Sequence, residues 1–74
     1  MHEDLAKKLV GLDFNPSNNP DVHHIKEVLA EIIEKLLKLQ TATDSPALNH
    51  ICNSAIDSCM TAQMWAVKAV TFKD

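Results

Sequence analysis

Apolar residues recur along this chain at steps of three and four, in three separate stretches. That spacing puts side chains on one side of a helix, whereas a strand would alternate. The longest stretch begins at Ser45. Ser45 suits an N-cap, and Pro46 suits the first helical position because it lacks the N–H that would be unpaired there. No glycine or proline follows Pro46. The pattern predicts one helix over 45–72, roughly 40 Å long.

Leu48, Cys52, Ala55, Cys59, Ala62, Ala66 and Ala69 form a stripe of mostly small side chains on this helix. A small stripe allows close approach by another helix. Ile51, Ile56, Met60, Met64, Trp65, Val67 and Val70 lie elsewhere around it. A helix that is apolar on more than one face is normally buried on more than one face. So short a chain has little material for that, which implies burial by further copies of itself.

The middle stretch opens with Asn19, Pro20 and Asp21. These supply a cap, a first helical proline and an acid at the positive helix end. Val22, Ile25, Leu29, Ile32, Leu36 and Leu39 then repeat as a heptad-like seam over a helix at 20–40. Glu31–Lys35 and Glu34–Lys38 are correctly ordered surface pairs. The short polar turn at 41–44 joins antiparallel neighbours, with the seam expected on the small stripe. The first stretch predicts a short helix over 1–11, capped by Gly11. Residues 12–19, with Pro16 and three asparagines, read as a loop. The expected fold is all-α: one domain over 1–74, an antiparallel helical hairpin with a short N-terminal helix, assembled as a homo-oligomer.

Composition narrows the function. Seventy-four residues are marginally stable without a staple or a partner. Two cysteines do not make a disulfide scaffold. On a helix, Cys52 and Cys59 sit roughly 10 Å apart, beyond disulfide reach. Buried free thiols are the first reading, a bond between subunits the second. A charged N-terminus does not read as a signal peptide, and no apolar run reaches a membrane span. A cytoplasmic location is expected. The net charge is −3, and every basic residue is lysine. That argues against a duplex DNA or RNA binder, which needs a basic face, but not against a small enclosed anion.

No enzyme, metal or cofactor motif stands out. His50, Ser54 and Asp57 align on one helix, but a triad also needs an oxyanion site. His23 and His24 point about 100° apart and cannot easily share a metal. His23 with Glu27 offers at most a weak surface site. A single glycine rules out a glycine-rich phosphate loop, and the cysteines lack CxxC spacing.

Binding remains. Lys26 lies in the first turns of its helix, where free amides and the dipole favour an anion. Just before it come Phe14, Asn15, Ser17, Asn18 and Asn19. An aromatic face, amides, hydroxyls and an ammonium are parts for gripping a small nucleotide. Lys68 and Thr71 could join them from a second subunit. Phe14 is otherwise an anchor in the core, which is the first expectation for a loop aromatic. The plain alternative for the whole cluster is a capped helix with a solvated lysine.

The order FNPS, then HHIK, then AQMWAVKAVTF resembles the phage anti-CBASS sponges. These short helical-hairpin proteins sequester cyclic oligonucleotide second messengers, and the hairpin is shared with Thoeris anti-defence sponges. The resemblance spans about 14–72. It implies a non-catalytic antagonist of host immunity in the host cytoplasm, assembled as a symmetric hexamer. Cyclic dinucleotides would sit between subunits, gripped by Phe14 and Lys26. Many members have Tyr at the aromatic position, whereas Phe stacks without donating an O–H. Many carry Arg late on the long helix, where this chain has Trp65 and then Lys68. Some members also take cyclic trinucleotides at a three-fold site. The competing reading is a structural or adaptor hairpin that binds a partner protein through its long apolar helix.

Overall fold

The computed structural model describes residues 2–16 and 18–74. It contains three helices, α1 (His2–Val10), α2 (Pro20–Thr41) and α3 (Pro46–Thr71), and no strand among the described residues. Each helix end has a local chemical cause. Gly11 takes φ 64° after α1. Its N–H donates to Lys8 O and the Leu12 N–H to Lys7 O, both at 3.0 Å. This pair of bonds is a Schellman cap, which a left-handed glycine permits. Asn19 caps α2, its Oδ1 accepting from the N–H groups of Asp21 at 2.8 Å and Val22 at 3.2 Å. Ser45 Oγ accepts from the Leu48 N–H at 3.2 Å and caps α3. Both capped helices carry proline in the first turn.

The hairpin of α2 and α3 is the frame, and α2 is its centre. α2 packs along both α1 and α3, while α1 and α3 barely meet. The result is a slab with Cα extents of 46 × 25 × 13 Å. The core joins Ala6 and Val10 of α1, Ala30 and Ile33 of α2 and Ile56 of α3. Near the turn, Gln40 Nε2 ties the hairpin, donating to Asn53 Oδ1 at 2.6 Å and to Asn49 O at 3.2 Å. No described helix is long and apolar enough to cross a membrane.

Both expected seams are rotated. On α2 the buried residues are Val22, Lys26, Ala30 and Ile33. Ile32 and Leu39 of the expected seam are 43% and 51% exposed. The cause is α1. With a neighbour on each side, the buried arc of α2 is centred between them, roughly 60° from the seam read against one neighbour. On α3, Cys52 and Ile56 are buried. Ala62 and Ala69 of the small stripe are exposed, as is Leu48. Ile56, with Met60 beside it, turns toward the core that α1 closes, and this draws the contact face round. Both cysteines are free, Cys52 buried and Cys59 half-buried.

Candidate functional site

The loop between α1 and α2 is held from below by one lysine. Lys26 sits nearly two turns into α2, on the arc facing α1, and only 2% of it is exposed. Its Nζ donates to Gly11 O at 2.9 Å and to Phe14 O. A buried charge is tolerable only with such partners, because desolvation otherwise dominates. The same Nζ lies 5.5 Å from the centre of the Phe14 ring. Lys26 is therefore neither solvated nor a free arm for phosphate. Two of its three donors hold the loop.

Asn15 is also committed to the loop. Its Nδ2 donates to Asn19 O at 2.8 Å, and its Oδ1 accepts from the Asn19 N–H at 3.1 Å. Asn18 follows at φ 51°, a left-handed conformation that asparagine tolerates well. These bonds fix the cap residue Asn19 and close the loop on itself. Phe14 stands outside this network at 73% exposure. The core-anchor expectation fails: the ring lies near the buried Lys26 ammonium and open to solvent, outside the core. Ser17 lies outside the described residues.

Phe14, Asn15, Pro16, Val22 and Lys26 line a cavity of about 300 Å³ with Gln63, Met64, Val67 and Thr71 of α3. The hairpin thus brings Thr71 to the loop within one chain, without a second subunit. Lys26 is the one charged residue in that lining. Thr71 Oγ1 donates to Val67 O at 2.9 Å, which leaves its lone pairs for another donor. Trp65 and Lys68 are not part of the lining. They pair with each other on the next face, Lys68 Nζ 5.6 Å from the Trp65 ring centre. The lining residues the sequence reading passed over are Pro16, Val22, Gln63, Met64 and Val67. The signal was present, since Met64, Val67 and Thr71 share one side of a helix.

Two other hollows flank α1. One, of about 360 Å³, lies between α1 and α2 and sets Glu3, Glu27, Glu31 and Glu34 against a single Lys7. That lining repels anions. The other, of about 520 Å³, is bounded by Phe14 and by Lys7 and Lys8 set against Asp4 and Asp13. Ser54 Oγ donates to His50 O at 3.2 Å, so its hydroxyl faces its own helix and not a histidine ring. His23 Nε2 stands 3.6 Å from Glu27 Oε2 on the open surface. No group of three or more metal-binding side chains is found among the described residues.

The loop cavity can therefore stack a flat ring on Phe14, present a fixed positive charge beneath it and offer a hydroxyl at its far wall. Comparison with protein-family models, curated proteins and solved structures finds no match for this chain.

Proposed function

We propose that this chain is a non-catalytic binding protein that sequesters cyclic di- or trinucleotides. It would act as a homo-oligomer, a hexamer if the family resemblance holds, and lower the free messenger available to host anti-phage signalling in the cytoplasm. The observation that supports this reading most is Phe14. A large ring left 73% exposed, with a buried ammonium 5.5 Å from its centre, serves no packing purpose of its own. It is the arrangement that stacks a base and steadies nearby negative charge.

The cavity also sets a limit on the binding mode. About 300 Å³ is the low end for a ligand pocket and suits a base rather than a whole cyclic dinucleotide. The remainder of the ligand would be covered by a neighbouring copy. Lys26 would act from beneath, through its charge and its remaining donor, while keeping the loop in place. Sequestration needs tight binding and abundance, not turnover, and nothing in the arrangement calls for a reaction step.

Calorimetry with a panel of cyclic di- and trinucleotides tests the proposal. Saturable heat is expected with at least one of them. In Phe14→Ala that heat disappears while helix content by circular dichroism is unchanged, because the ring supports nothing else. Nucleotide recovered from the denatured complex is intact. Heat from none of the panel, or binding that survives Phe14→Ala, overturns the reading. A second reading, an adaptor hairpin, is favoured by the exposed large side chains Ile51 and Trp65 on α3 and Phe72 just after it, at 62%, 65% and 64%. It gains if the panel gives no heat.

A further inference from the structure

The hairpin has two broad faces, and only one is covered. α1 lies on the first, over Ala30 and Ile33. On the opposite flank α2 presents Val28, Ile32 and Leu39 at 41%, 43% and 51% exposure. α3 continues that flank with Leu48, Ile51 and Trp65. The chain exposes 5365 Å², whereas a compact folded monomer of 8.2 kDa exposes roughly 4,500 Å². The excess of about 800 Å² per chain is what one partner buries in a standard specific interface.

We propose that this bare face pairs with the same face of a second copy, the two α3 helices lying antiparallel about a two-fold axis between Ser58 and Ala62. The inference rests on the self-association part of the proposed function and not on its nucleotide. The outward residues of α3 recur at steps of three and four along the whole helix, as a helix–helix seam requires. Their sizes choose the direction. In an antiparallel pair centred there, Leu48 meets Phe72 of the other copy, Ile51 meets Ala69, Ala55 meets Trp65 and Ser58 meets Ala62. Large stands against small at two levels, Ile51 on Ala69 and Trp65 on Ala55, and two small residues meet where the helices cross closest; Leu48 meets Phe72 just beyond the helix end, where the backbone is already extended. In a parallel pair, Trp65 would meet Trp65 and Ala62 would meet Ala62. That gives crowding at one level and a gap at another, and close-packed interfaces tolerate neither. A closed two-fold contact uses one self-complementary patch on both chains, which this seam supplies.

The test uses the whole chain in solution without nucleotide. Light scattering of the unmodified protein at micromolar concentration is expected to give at least twice the 8.2 kDa of one chain. Ala62→Glu, an exposed change within the subunit, halves that mass or more and keeps the helical circular dichroism. The register is read separately. On oxidation in a Cys52→Ala, Cys59→Ala background, the double variant Ile51→Cys, Ala69→Cys forms covalent dimers, while each single variant does not. A single-chain mass for the unmodified protein overturns the proposal, as does unchanged mass in Ala62→Glu. Cross-linking by either single variant in that thiol-free background overturns the antiparallel register, because it requires like residues to meet.

Discussion

Ile32 and Ile33 are the same residue on adjacent positions of one helix, and they live on opposite faces of the hairpin. Ile33 is fully buried against α1 and α3, while Ile32 is 43% exposed. The contrast runs the length of the frame. On the α1 side, Ala6, Val10 and Ala30 are no more than 6% exposed; on the other, Val28 and Leu39 stand in the open with Ile51. A nine-residue helix is enough to close one face, and no described part of the chain closes the second. The difference shows how far one chain closes its own apolar surface: burial is complete beside α1 and stops at the other face.

The sharpest way to break this comparison is to truncate the two isoleucines in turn. Ile33→Ala removes a fully buried side chain and leaves a cavity, which costs about 2–5 kcal/mol. Against a domain whose total stability is on the order of 5 kcal/mol, that is enough to unfold much of the population. Ile32→Ala is expected to leave the unfolding of a dilute single chain nearly unchanged and to weaken assembly instead. Urea melts followed by circular dichroism, over a range of protein concentrations, separate the two. Equal losses at low concentration would mean that the faces do not differ in the way their exposure indicates.

Much of the fold is legible in the chain's local chemistry. Asn19 and Ser45 cap the helices that their neighbours Pro20 and Pro46 begin, and Gly11 ends the first helix in the left-handed conformation only glycine enters freely. These are local effects, decided within a few residues. The orientation of each helix about its own axis was not local. It depended on α1 docking beside α2, which no periodicity in α2 encodes, so Ile32 and Leu39 were assigned inward and Lys26 outward. Lys26 shows the same limit at the site. Its place in the chain suggested an ammonium for an anion, but the carbonyls that hold it belong to Gly11 and Phe14, across a turn whose shape the sequence left open. The meeting of Phe14 with Thr71 follows from the hairpin itself and needed only the antiparallel topology.

A gentler change probes how α1 is delivered to its face. Gly11 sits at φ +64°, and a Cβ there would meet Phe14 Cβ at 3.8 Å and Lys26 Nζ at 3.9 Å. Those are ordinary contact distances, so space is not the obstacle. The cost of Gly11→Ala is conformational, about 1–2 kcal/mol for an L residue held in the left-handed region. A matching drop in the urea midpoint is expected, with the apolar face opposite α1, and the assembly proposed for it, unaffected. A much larger loss would mean that the loop cannot adjust and that the Lys26 cage fails with it.

The smallest effect belongs to the one short ion pair on α1. Lys7 Nζ donates to Glu3 Oε1 at 2.8 Å, with both side chains largely in solvent. The hydrogen bond and the charge of Lys7 hold the Glu3 carboxyl below its ordinary value, and the same contact holds Lys7 above its own. Glu3 therefore favours the folded state at pH above its unfolded value and loses that contribution as pH falls through its folded one. Lys7 contributes below its unfolded value and loses the effect as pH rises through its folded one. Between those limits the pair is intact, yet exposed pairs of this kind contribute little and are screened by salt. Glu3→Gln is thus expected to lower the thermal midpoint barely at neutral pH and not at all in acid or high salt. If it instead detaches α1, seen as new binding of an apolar dye, then the covered face is held by charge. Ala6 and Val10, almost wholly buried, make that the wrong side of the comparison: burial closes this face, and on the other no described helix covers Val28, Ile32 and Leu39.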